Sequence, residues 1–182
     1  MNAQSQINFN TIEYLKTGNP RQVAAYQTLT HNWIMEGLQQ YDPILAGTIP
    51  INIDIENSDL DVICCFKELE EFARTIKELF GQMEGFAIKT RKHQNTLSVK
   101  ANFRVDDFEI EIFGQDIPTR LQNAYRHMVI EHRLLCERGE PFRQDIIKLK
   151  QQGYKTEPAF ARLLGIEGDP YTGLLALENP EQ

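Results

Sequence analysis

AGTIPINIDIENSDLDV, residues 46–62, runs directly into Ile63, Cys64, Cys65 and Phe66, and its reading decides the fold. A short apolar run, Pro43 to Ala46, meets the Gly47–Thr48 pair, and about ten residues later Asp59-Leu60-Asp61 opens a second apolar run. Side chains on a strand alternate between faces, so Asp59 and Asp61 point to one side and Leu60 to the other. Two carboxylates at the mouth of an apolar strand repel each other, and a cation between them relieves that repulsion. Donors that are all oxygen suit a hard ion such as Mg²⁺. The stretch is therefore expected to form a metal-dependent phosphate site.

Outward from it the hydrophobic period changes twice. PRQVAAYQTLTHNWIMEGLQQ (20–40) carries Val23, Tyr26, Leu29, Trp33, Ile34 and Leu38 mostly at three- and four-residue steps. This predicts an amphipathic helix opened by Asn19–Pro20, with Trp33 in the core. After a short strand at 43–47 and a buried strand at about 59–66, KELEEFARTIKELFG (67–81) predicts a second helix. Its inward residues are Leu69, Phe72, Ile76, Leu79 and Phe80, and Gly81 is placed to stop it. From 85 to 113 the period becomes two: GFAIKTRKH, TLSVKANFRV and FEIEIFG read as strands, the last two joined at Asp106–Asp107. The remainder reads as helices over roughly 118–137, 141–152, 156–164 and 170–177, punctuated by Gly139, Gly153 and Gly165. The expected architecture is α/β (α+β), a small mixed β-sheet flanked by helices. It is read as a single domain over 1–182, with a core of about 20–115 and a helical C-terminal part of about 116–182.

Composition narrows the function classes. The chain has 182 residues and a formal charge of -7, which argues against a broad surface for long nucleic acid or anionic membrane. No apolar run approaches the roughly 20 residues of a membrane span. The opening MNAQSQINFN lacks the charged and apolar segments of a secretory leader. The cysteines have no C-x-x-C spacing, and Cys64–Cys65 lie inside an apolar strand, as free thiols do in a reducing cytosol. A cytoplasmic setting is expected.

Phosphoryl and nucleotidyl transfer need a charged phosphate to be positioned and neutralised, and two divalent ions about 4 Å apart need several clustered carboxylates. Asp59 and Asp61 supply two. The strand FEIEIFG offers Glu109 and Glu111 on one face, because Phe108, Ile110 and Ile112 take the other. Glu111, deeper in the strand, is favoured as the third ligand and as a proton acceptor; Glu109, nearer the turn, is the alternative. Gly47–Thr48 suits phosphate binding, since glycine permits close backbone approach and the hydroxyl can donate. On the helix QNAYRHMVIEHR (122–133), Arg126 and His127 offer contacts to a triphosphate or an acceptor. The other reading has them cap strand ends or pair with Glu131 and Glu137. Arg91, Lys92 and His93 read as a solvated turn.

These motifs resemble the nucleotidyltransferase superfamily that includes polymerase beta. Its pattern G-S-x-A-R-G-x-x-x-x-x-S-D-x-D lies over GTIPINIDIENSDLD without a gap, matching Gly47, Ser58, Asp59 and Asp61. The chain is most similar to an uncharacterised bacterial branch, a domain of unknown function, through G-T-x-P, S-D-L-D, E-I-F-G-Q and Q-N-A-Y-R-H-M. The resemblance implies a nucleotidyltransferase-like fold. Asp59, Asp61 and Glu111 would bind Mg²⁺, with two ions, and a nucleoside triphosphate, while Gly47, Thr48 and Ser58 would contact phosphates. The reaction would move a nucleoside monophosphate to a hydroxyl of a small-molecule or protein acceptor. The alternative is a degenerate relative that binds nucleotide or a protein partner without turnover. The chain departs from the pattern at Thr48, which replaces Ser, at Ile51 and Asn52, which stand for Arg-Gly, and at Glu111, where Asp is commoner.

Overall fold

Five strands form one sheet in the computed structural model, which describes residues 7–93 and 96–178: β1 (Ile44–Ala46), β2 (Leu60–Cys65), β3 (Glu84–His93), β4 (Thr96–Val105) and β5 (Phe108–Gln115). The end positions outside this range belong to the stretches read for a leader and for the C-terminal helical part. The sheet order is β1-β2-β5-β4-β3, with β2 parallel to β5 and the β5-β4-β3 meander antiparallel. The mixed sheet flanked by helices is the architecture the periodicities predict.

Two compact units make up the chain: Met1–Leu45 with Asp59–Thr119, and Ala46–Ser58 with Arg120–Gln182. In the first, alternation along β4 and β5 sends Val99, Ala101, Phe103, Ile110 and Ile112 to a buried face. Helix α3 (Leu69–Phe80) packs against β3 and β4 and buries Phe72, Ile76 and Phe80, one turn apart on its apolar stripe. Leu79, expected inward, is exposed. The β4–β5 turn has the expected two residues, with Val105 opposite Phe108. Asp106 holds φ 52° there and accepts a hydrogen bond from Thr28 Oγ1 at 2.7 Å.

The first helix is shorter than its hydrophobic steps suggest. Helix α1 (Pro20–His31) opens with a capping box between Asn19 and Gln22. It ends where Asn32 Nδ2 donates to the Thr28 carbonyl at 2.9 Å, so a side chain occupies a helix acceptor at its end. Trp33 then takes φ 56° before the single turn α2 (Ile34–Gly37). This reversal turns Ile34 and Leu38 inward and leaves Trp33 70% exposed, against its expected core position.

In the second unit α4 (Asn123–Gln151), α5 (Thr156–Leu164) and α6 (Pro170–Leu175) pack on one another around Met128, Leu135, Ile146, Phe160 and Leu174. Gly139, at φ 77° and ψ -171°, breaks the helical path of α4 two residues before Pro141, where the sequence predicts separate helices. The three cysteines are free thiols. No helix among the described residues is long and apolar enough to cross a membrane.

Gly114 on β5 lies under the Phe72 ring, and an added Cβ would stand 2.2 Å from its Cε1. Phe72 is fully buried, stacked on Phe66 at 5.2 Å and met edge-on by Tyr41 at 4.7 Å, so it has little room to yield. Gly114→Ala is expected to cost roughly 1–3 kcal/mol, read as a lower urea midpoint with unchanged slope.

Candidate functional site

The acidic residues meet because of strand register. Parallel pairing of β2 with β5 sets Asp61 opposite Glu111, while Leu60 and Val62 sit beside Ile110 and Ile112 in the core. Asp59 immediately precedes β2 and returns its side chain to the same side. One carboxylate oxygen from each of Asp59, Asp61 and Glu111 lies within 4.8 Å of the others, and all three residues are half-buried. Glu109 sits two positions nearer the turn, exposed and opposite Arg104.

Electrostatics register the crowding. The Asp59 carboxyl is held above the ordinary aspartate range, first by burial and then by the Glu111 and Glu109 charges, against the opposing effects of its own backbone N–H and of Lys100. Lys100, on β4, reaches across the strand pair and puts its ammonium on Glu111 Oε2. This lysine is absent from the sequence reading, yet the hairpin register contains it: Asn102 opposes Glu111, and Lys100 is two residues away on the same face. Three clustered oxygen donors, one of them made harder to ionise by its neighbours, fit a hard divalent cation.

The loop between β1 and β2 is built within the second unit. Gly47 adopts φ 82°, and the chain closes on itself through Ile53 N–H to the Thr48 carbonyl at 3.1 Å. Ser58 Oγ accepts from the Ile55 amide at 2.9 Å and from Thr48 Oγ1 at 3.3 Å, so two predicted phosphate-contacting hydroxyls stand together. Ile49, Ile51 and Ile53 are buried, and the segment that carries them is a turn and loop rather than a strand. Asn52, where the superfamily pattern has glycine, holds φ 57°; asparagine is among the few residues that accept this conformation. No arginine stands at 51, but Arg143 Nη1 from α4 donates to the carbonyls of Ile51 at 2.6 Å and Asn52 at 3.0 Å. Lys150, two turns further along α4, donates to the Ile53 carbonyl at 2.8 Å.

Arg126 and His127 are engaged elsewhere in that unit. Arg126 forms a two-point ion pair with Glu178. His127 is buried; its Nε2 donates to the Tyr171 carbonyl at 3.0 Å, and its Nδ1 lies 3.6 Å from Glu157 Oε1. Beside them Glu131 is 4% exposed, and its Oε1 meets no hydrogen-bond donor among the described residues.

The sheet, with carboxylates at the head of β2 and in β5, defines a protein of the nucleotidyltransferase fold. Solved structures agree. The Cid1 poly(U) polymerase with Mg 3′-dATP bound matches with a TM-score of 0.55 at 14% identity, over 86% of this chain and 48% of that one. The polymerase core of TRAMP matches at 0.50 and 11%, over 90% and 50%, and the GLD-2/RNP-8 complex at 0.50 and 14%, over 85% and 57%. The chain thus spans about half the length of these structures. It belongs to the family described as Domain of unknown function (DUF4269), whose model matches residues 27–177. No curated protein matches its sequence.

Two outcomes test this local account. Asn52→Gly is expected to leave stability nearly unchanged, whereas Asn52→Val should lose about 1–3 kcal/mol through strain at positive φ, both read by denaturant midpoint. Burial, then the Glu157 charge, push the Glu131 carboxyl well above its usual value, with Lys150 opposing. The folded state therefore binds that proton more tightly than the unfolded chain, and its stability falls as pH rises from the ordinary glutamate range through the folded value. Glu131→Gln should be more stable than the parent at pH 8 and lose that advantage on acidification, measured as unfolding free energy against pH.

Proposed function

We propose that this chain is a Mg²⁺-dependent nucleotidyltransferase that moves a nucleoside monophosphate from a nucleoside triphosphate to a hydroxyl of a small-molecule or protein acceptor. The observation that carries the reading is the convergence of Asp59, Asp61 and Glu111 within 4.8 Å, on the fold of the nucleotidyltransferases. Three carboxylates crowded on two neighbouring inner strands are costly without a counter-charge, and a chain that only needed acidity would spread them. The bacterial branch and the cytoplasmic setting belong to the same proposal.

In this reading Asp59, Asp61 and Glu111 hold the metal. When bound, Mg²⁺ supplies charge neutralisation for the triphosphate and its leaving group. The acceptor hydroxyl oxygen bonds to the α-phosphorus, the bond from the α-phosphorus to the bridging oxygen breaks, and pyrophosphate leaves with that electron pair. The hydroxyl proton passes to a carboxylate, for which Glu111 is the candidate. Gly47, Thr48 and Ser58 bind phosphate oxygens through backbone amides and hydroxyls. Arg126 and His127 are proposed as further contacts to the triphosphate or the acceptor; Arg126 Nε and Nη2 donate to Glu178 and His127 Nε2 to the Tyr171 carbonyl, while Arg126 Nη1 faces Asn123.

Pyrophosphate release from each of the four ribonucleoside triphosphates, across pooled small-molecule and protein acceptors with Mg²⁺, tests the reaction. Turnover is expected, with a loss of at least about 100-fold in Asp59→Asn and in Asp61→Asn. Mg²⁺-dependent nucleotide binding without turnover would favour the degenerate binder. No nucleotide binding at any Mg²⁺ concentration would sink both.

A further inference from the structure

We propose that the acceptor in the nucleotidyltransferase reading, on which this rests, is a compact hydroxyl compound bearing a phosphate monoester, and that Lys89 and Arg91 on β3 bind that phosphate.

Charge on the sheet is sorted by strand. The paired strands β3 and β4, residues 84–105, carry five cations, Lys89, Arg91, Lys92, Lys100 and Arg104, against the single acid Glu84, in a chain of formal charge -7. Register decides which face they take. Asn102 opposes Glu111, and Ala87 opposes Asn102, so the acidic face of β2 and β5 continues across β4 and β3. Steps of two residues put Lys100 and Arg104 on that face of β4, and Lys89 and Arg91 on that face of β3. The contact of Lys100 with Glu111 fixes the side. Helix α3 packs on the opposite face, where Phe80 stacks on Phe103.

Two of these cations already have acids beside them. Lys100 pairs with Glu111, and Arg104 stands between Glu109 on β5 and Glu84 on β3. Lys89 and Arg91 do not: their cross-strand partners are Lys100 and Ser98, both are exposed, and neither forms an ion pair among the described residues. Setting Lys89 directly against Lys100 is unfavourable for the sheet. Lysines on an edge strand guard against edge-to-edge pairing, yet that role does not account for Lys100 and Arg104, which continue the same row on the inner strand β4.

Two adjacent unpaired cations match the charge of a phosphate monoester at neutral pH, and the arginine fork fits two of its oxygens. Position assigns this phosphate to the acceptor. In the order β2-β5-β4-β3, Glu111, proposed to take the hydroxyl proton, is the triad member on the side of the cations. Strand spacing puts the Lys89 and Glu111 backbones roughly 12 Å apart, a gap that two side chains and one compact molecule fill. The positive row is short, because Glu84 and, at the β4–β5 turn, Asp106, Asp107 and Glu109 are exposed acids. They repel the further phosphates of a polymer, which needs a continuing run of cations. In the reaction the acceptor's free hydroxyl oxygen bonds to the α-phosphorus and pyrophosphate leaves with the electron pair of the broken bond. The proton passes to Glu111, and the phosphate monoester stays intact.

Titration of inorganic phosphate, ribose 5-phosphate and ribose into the ¹⁵N-labelled full chain at low ionic strength, read by amide shifts, tests the site. Both phosphates should move the signals of Lys89 to Arg91, and ribose should not. Lys89→Gln with Arg91→Gln should weaken phosphate binding at least about tenfold, whereas Lys92→Gln, on the other face of the strand, should leave it unchanged. The amide spectrum of each variant also reports that it is folded. Mg²⁺-dependent ATP binding should survive in the double variant; its loss would assign the two cations to the triphosphate and overturn the proposal. Absent phosphate binding, equal weakening by Lys92→Gln, or tighter binding of a single-stranded oligoribonucleotide than of ribose 5-phosphate to the same residues would overturn it too. Absent phosphate binding with ATP binding intact removes this inference alone. A parent chain that binds no nucleotide at any Mg²⁺ concentration removes the nucleotidyltransferase reading, and the acceptor role with it.

Discussion

The parallel pairing of β2 with β5 is the constraint on which the site depends. Each strand alone carries an ordinary alternation of acidic and apolar residues. Their register sets Asp61 beside Glu111 on one face, and on the other Leu60 and Val62 beside Ile110 and Ile112. The two juxtapositions are inseparable, because a slip of one residue would turn the carboxylates into the core and the aliphatic side chains out. Burial of the apolar rows thus opposes the repulsion among the acids and holds them where they would not collect by themselves. The acidic cluster is a by-product of core packing in the geometric sense.

The β1–β2 loop is made differently. It is shaped by main-chain carbonyls that accept from two cationic side chains of α4, together with three buried isoleucines. Where the superfamily pattern has Arg-Gly, this chain has Ile-Asn, and the two losses are met separately. Asn52 holds a positive φ that glycine also accepts, and Ile51 adds apolar burial. The guanidinium that contacts the loop comes from Arg143, and it is spent on holding carbonyls. The loop of this chain is thus held by Asn52 at positive φ, by buried Ile51 and by Arg143 from α4.

Much of this was legible from residue order, and the exceptions have physical reasons. Period-two alternation in FEIEIFG and the two-residue Asp106–Asp107 turn were enough to place Glu109 and Glu111 on one face. The same turn also determines that Asn102 opposes Glu111 and that Lys100 lies diagonal to it, so the lysine could have been found by extending the register one strand further. The end of α1 was harder: Trp33 keeps helical spacing, but side-chain capping by Asn32 and a left-handed Trp33 override the period. Arg143 and Lys150 left no sequence trace of their partners, since they bind carbonyls that every residue type carries. The helical unit was read correctly as elements, yet its buried Glu131 was seen only as a partner for neighbouring cations.

The clamp on the loop also bears on how the chain acquires its shape. Arg143 and the Ile51 carbonyl are 92 residues apart in sequence, and Lys150 and the Ile53 carbonyl 97. Contacts of such long separation carry a loop-closure penalty and form late in folding. During synthesis the strands β1 and β2 on either side of the loop leave the ribosome well before α4 does. The Arg143 and Lys150 contacts to the loop carbonyls therefore close only once the second half of α4 has been made. The closing of the loop is thus timed by the last third of the chain, and a nascent protein stalled before residue 143 would lack both cationic partners of its carbonyls.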